Sequence, residues 1–180
     1  LANDFGNLVN RTVTMAGRYL GGERPDPTTD GSLAAAWAVA FDRYRERFDG
    51  FLLHEALGAL WEFVGDANRF VDLEQPWVLA KAAKGGDEAA ALRLRGVLAD
   101  LIEACRLLGL AAAPFLPATA PRVLGQLGYD HPYESDGNGG PPIVDALGWG
   151  AWSGRVGTLA AAQPLFPRLE NEAAVDSAAG

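Results

Sequence analysis

Apolar residues recur three and four positions apart over most of the first 127 residues, and the runs break at glycine and proline. Phe5, Val9, Thr12, Ala16 and Leu20 form a first helical stripe, which Gly21 and Gly22 stop. The prolines, aspartates and glycine between Glu23 and Gly31 are loop chemistry. Leu33, Trp37, Phe41, Tyr44 and Phe48 make a second stripe, with Asp42, Arg43, Arg45 and Glu46 facing away and Gly50 ending it. The third carries Leu53, Leu57, Leu60, Val64, Ala67 and Val71, to about Asp72. Proline suits the first turn of a helix, where its missing N–H is not required, so Pro76 predicts a short fourth helix reaching Lys84. Asp87 and Glu88 suit the positive end of a fifth helix, whose stripe of Ala90, Leu94, Val97, Leu101, Cys105 and Leu108 runs to about Ala112. Pro114 and Pro117 break it, and a sixth helix is predicted from about Pro117 to Leu127, capped by Gly128.

Beyond Tyr129 the period is lost. Residues 136–142 read as loop, and 143–170 as short apolar pieces between glycines, irregular or weakly β, with Trp149, Trp152 and Phe166 as anchors. The small, polar residues 171–180 read as a frayed tail. The pattern therefore predicts an all-α fold: an antiparallel helical bundle over residues 1–170 with an irregular C-terminal wrap, then a disordered tail.

Composition narrows the chemistry. With 180 residues and 49% hydrophobic content, the chain is long enough to bury about two-thirds of its unfolded surface without a staple. Cys105 is the only cysteine, which excludes a disulfide framework, and with His54 and His131 it is a poor basis for a structural zinc site. The longest apolar run, Leu107 to Leu116, is too short for a membrane span, and no basic leader opens the chain, so a cytoplasmic setting is expected. The first residue is Leu1 and the only methionine is Met15, which predicts a piece of something longer. A net charge of −8 argues against non-specific nucleic-acid binding, but binding follows the local field, and 15 basic residues remain for a local patch.

One face of the first helix is unlike an ordinary solvated face. Asn3, Asn7, Asn10, Thr14 and Arg18 fall within a band of roughly 80° at about 100° per residue. Asparagine is a poor helix former, so the line gives up propensity for hydrogen-bonding groups. Individually these amides could be buried ties; as a set they present amide and guanidinium groups to a polar, planar ligand. The second feature is Trp77, just behind the helix-starting Pro76. Such a ring either caps a core or stands free as a platform on which an unpaired base stacks for roughly 1–3 kcal/mol.

These two features, with two more, resemble the C-terminal helical anticodon-binding domain of methionyl-tRNA synthetases. The run Ala2-Asn-Asp-Phe-Gly-Asn-Leu-Val-Asn-Arg11, continuing to Arg18, is similar to the family's first domain helix. Ala67-Asn-Arg-Phe-Val-Asp followed by Gln75-Pro-Trp-Val-Leu-Ala-Lys81 is similar to its most recognisable segment. Pro-Phe-Leu-Pro at 114–117 and Pro164-Leu-Phe-Pro-Arg168 match in order and spacing. The resemblance implies binding of the anticodon loop of tRNA(Met), with Trp77 stacking on the first anticodon base, cytosine, and Thr14 and Arg18 reading its edge. Many relatives have asparagine where this chain has Thr14, so part of the reading is expected to shift to Asn10 or to water, with Asn7 in the same line. The family's catalytic half, with its His-Ile-Gly-His and Lys-Met-Ser-Lys-Ser signatures, has no counterpart here. The resemblance thus implies no catalytic residue, no metal and no cofactor in this chain, the ATP and catalytic domain belonging to the parent ligase. Two rivals are a protein-interaction module and the anticodon-binding domain of a related class I synthetase or paralogue. His54 is expected as a packing residue near the core, Asp66 with Glu62 as solvated charge, and Arg93 and Arg95 as either phosphate contacts or a solvated face.

Overall fold

The computed structural model describes residues 2–29, 31–129, 143–155 and 157–166. The proposed loop at 136–142 and the tail at 171–180 lie outside them. Seven helices follow one another: α1 Ala2–Leu20, α2 Ser32–Asp49, α3 Leu53–Glu74, α4 Pro76–Lys84, α5 Glu88–Ala111, α6 Ala120–Gln126 and α7 Ile143–Ala146. Among the described residues there is no strand, and one isolated antiparallel bridge pairs Glu23 with Thr158. None of the described helices is long and apolar enough to cross a membrane.

The predicted stripes become the core. Phe5, Val9, Thr12 and Ala16 of α1 are buried, as are Leu33, Trp37 and Tyr44 of α2. Helix α5 is the axle. It packs on α1, α2, α3, α4 and α6, and every residue from Val97 to Ala111 is buried. Its start is fixed as expected, the Asp87 carboxylate accepting the Ala90 N–H at 2.9 Å. Cys105 is fully enclosed, and burial pushes its thiol up to about 12.

Three elements depart from the pattern. His54 is 82% exposed, with its ring 3.8 Å from Glu55, because α3 turns Ala56, Ala59 and Leu60 inward instead. Helix α6 begins at Ala120, not Pro117: tight turns at Ala112 and Leu116 occupy the interval, and Pro121 sits in its first turn. The four-residue α7 lies where irregular or weakly β chain is expected.

The C-terminal wrap is held by arginines and amides reaching out of the bundle. Arg106, buried, chelates Glu103 at 2.6 and 2.7 Å and donates to the carbonyls of Ala146 and Gly148. Gly150 N–H closes the network on Glu103 at 2.7 Å. Arg122 donates to Pro164 and Leu165 carbonyls, and Gln126 pairs both ways with the backbone of Gln163. Arg24 donates to the carbonyls of Leu127, Gly128 and Arg155 beneath the Tyr129 ring. Gly128 has φ +71°, and a Cβ there would meet the Thr158 carbonyl oxygen at 1.9 Å, so only glycine fits the crossing. The anchors behave as predicted: Trp152 is buried, the Trp149 indole donates to Thr28, and Phe166 packs on the core.

Candidate functional site

Local chemistry at the α3–α4 corner sets the position of Trp77. Gln75 ends α3 in the left-handed region, at φ 46° and ψ 63°, with its N–H on the Val71 carbonyl. Pro76 then opens α4, and its lack of an N–H costs nothing there. The abrupt turn lifts the next ring away from the core: Trp77 is 44% exposed, beside exposed Leu73 and Val78.

Trp77 faces α1 across a groove of about 530 Å³, whose lining includes Arg18, Tyr19, Lys81, Lys84 and Leu94. The Arg18 guanidinium lies 5.6 Å from the Tyr19 ring centroid and forms no ion pair among the described residues. No carboxylate lines this groove. An exposed indole, a guanidinium and two ammonium groups around one apolar floor suit a flat, hydrogen-bonding, negatively charged ligand.

A second groove of about 450 Å³ runs between the same face of α1 and α3, lined by Asn7, Asn10, Arg11, Trp61 and Asn68 among others. Arg11 pairs with Asp72 at 3.2 Å, and the Asn68 amide donates to the Val64 carbonyl at 3.0 Å. The Trp61 indole nitrogen is buried without a partner among the described residues, its ring edge-on to Phe5. Exposed Thr14 lines neither groove, and its hydroxyl donates to Asn10 Oδ1 at 3.2 Å.

The sequence-predicted residues therefore divide. Arg18 and Trp77 come together in one groove, Asn7 and Asn10 line the other, and Thr14, between them along α1, lines neither. The side chain of Asn3 lies outside the described ones. Arg93 and Arg95 are occupied by Glu74 and Glu23, whose carboxyl is held below the usual glutamate range by the hydrogen-bonded Arg95, so they make a paired surface rather than free cations. Asp66 and Glu62 likewise pair, with Arg69 and Arg43. Of the lining residues, Tyr19, Lys81, Lys84 and Trp61 were missed. Spacing from Trp77 could have found Lys84, since i+7 returns to the same helix face. Nothing local marks Trp61, which enters only through the packing of α3 on α1.

No protein-family model matches the chain. It is 36% identical over 134 residues to methionine–tRNA ligase of Mycobacterium leprae, covering 72% of this chain and 24% of that protein. Against the Oceanobacillus iheyensis methionine–tRNA ligase it is 30% identical over 94% of its length, again 24% of the relative. Against Bacillus cereus methionine–tRNA ligase 1 the identity is 34% over 98% of the chain and 26% of the relative. Mycobacterium tuberculosis methionyl-tRNA synthetase superposes with a TM-score of 0.73 in its apo form, at 31% identity over 94% of this chain and 32% of that one. Its complex with methionyl-adenylate gives 0.75, at 31% identity over 93% and 31%. The chain spans about a quarter of the length of the curated relatives it matches.

Proposed function

Because the chain belongs to the methionyl-tRNA synthetase family, as a segment about a quarter of its relatives' length, we propose that it is the domain that reads the CAU anticodon of tRNA(Met). Its parent would be the methionine–tRNA ligase, with methionine and ATP handled by a catalytic domain and the anticodon loop by this bundle. The observation that carries the reading is the half-exposed indole of Trp77 sharing a groove with an unpaired Arg18.

The chemistry follows from the groups at hand. Anticodon loops offer unstacked bases that proteins hold by stacking and read on their Watson–Crick edges. A cytosine stacked on Trp77 presents O2 and N3 as acceptors for the Arg18 guanidinium. Uracil carries a proton at N3, so the same approach sets donor against donor. The Thr14 hydroxyl, having donated to Asn10, keeps lone pairs for the cytosine amino group, where uracil offers only another acceptor. Asn7 and Asn10, which line the second groove, would meet a neighbouring base.

Titration with an anticodon stem-loop tests this. The CAU loop is expected to bind and a UAU loop to bind at least tenfold more weakly. Trp77→Ala and Arg18→Ala should each weaken CAU binding by about 5- to 150-fold, the 1–3 kcal/mol of a lost stack or edge contact, with circular dichroism unchanged. Thermal unfolding of Trp77→Ala should show a loss of only about 1 kcal/mol, well below the 3–5 of a core tryptophan. Normal binding by both variants would sink the proposal.

A further inference from the structure

Resting on the anticodon reading above, we infer that Lys81 and Lys84 form a backbone-phosphate track beside the base platform, gripping the RNA strand without reading it. These are the chain's only two lysines, and both line the Trp77 groove. Both are exposed, and neither forms an ion pair or side-chain hydrogen bond among the described residues. The contrast with the arginines is sharp. Arg11, Arg43, Arg69, Arg93, Arg95 and Arg106 each face a carboxylate. Arg24 and Arg122 are spent on main-chain carbonyls. In a chain of net charge −8, three of the described cations without a carboxylate or carbonyl partner, Arg18, Lys81 and Lys84, are thus gathered around one exposed indole, whereas Arg45 and Arg155 stand elsewhere over Phe41 and Trp152.

Spacing supplies the geometry. Lys81 is four residues and Lys84 seven residues beyond Trp77 on α4, so all three share a face, the ammonium stems rooted about 6 and about 10.5 Å along the axis. A strand whose base lies on the indole has its sugar–phosphate chain outside the ring, where that row runs. Lysine suits the task, since a flexible stem carrying a point charge meets a phosphate from many directions and distinguishes no base. The competing account is local: lysines in a last helical turn also complement the negative end of the helix.

The test uses the 180-residue chain and a CAU stem-loop, with the association constant measured against salt. For the Lys81→Gln/Lys84→Gln double variant the slope of log K against log salt should be shallower by about 1.4, or about 0.7 per lysine. The CAU-to-UAU ratio should stay as in the wild type, and Lys81→Arg/Lys84→Arg should restore the slope. Arg45→Gln, an exposed arginine on α2, controls for net charge and should leave the slope nearly unchanged. A stem-loop with uncharged methylphosphonate linkages beside the first anticodon base should weaken binding to the wild type but not to the double glutamine variant. An unchanged slope, a slope change matched by Arg45→Gln, or an altered CAU-to-UAU ratio overturns the inference. Failure of the anticodon reading looks different: the wild type would ignore the base change while the lysine-dependent slope persisted. Absence of RNA binding at every salt concentration overturns both.

Discussion

The phenol of Tyr44 donates to the Ala111 carbonyl at 3.1 Å inside the bundle, and burial pushes its pKa up to about 12. The unfolded chain releases that proton near pH 10, whereas the folded chain holds it. Stability is therefore unaffected below pH 10 and falls as pH rises from about 10 to about 12. Urea titrations across that range should show the loss in the wild type and a shallower one in Tyr44→Phe. That variant should also lose about 1 kcal/mol at neutral pH through the unpaired carbonyl. Single side chains also show where the sequence ran out. Trp37 and Trp77 read alike as letters; the first is 2% exposed and the second 44%, because the stripe of α2 includes Trp37 while a proline corner turns Trp77 outward. His54 misled, because its neighbour Leu53 fits the apolar period yet is itself 47% exposed.

At the scale of elements, the α3–α4 corner joins fold to site. Gln75 holds a left-handed conformation at φ 46°, which costs a side-chain-bearing residue about 1 kcal/mol or more. A β-branched residue fits that region worse. Gln75→Val should lower stability by a further 1–2 kcal/mol in thermal unfolding, and it should weaken CAU binding because the corner aims Trp77. Helices α1 to α5 were legible from local signals: apolar stripes in α1, α2, α3 and α5, glycine stops after α1, α2 and α4, Pro76 at the start of α4 and Asp87 capping α5. Helix α6 was misplaced by three residues, since prolines at 114, 117 and 121 all permit a helix start and only the turn hydrogen bonds choose among them. Helix α7 has four residues, fewer than any period can reveal. The candidate site was legible in the same uneven way: one face of α1 was read from spacing and Trp77 from the proline before it and the resemblance, while the division into two grooves depends on how α3 and α4 lie against α1.

For the molecule as a whole, the pair Glu103–Arg106 joins bundle to wrap. Both side chains are almost fully enclosed, and between them they hold Ala146, Gly148 and Gly150. Removing one partner leaves a buried charge alone. Glu103→Ala should cost about 3–5 kcal/mol in denaturant unfolding, whereas a paired exchange to well-packed apolar residues should cost far less. Such a loss would spread, because α5 touches nearly every other helix. The manner of the grip has its own consequence. Besides the buried Leu147, Trp152 and Leu165, the wrap is held by its peptide oxygens, which Arg24, Arg106 and Arg122 clasp. Since every residue type supplies the same oxygen, the letters between those buried anchors are free to drift, and the selective burden passes to the arginines that clasp the ribbon from a distance in the chain.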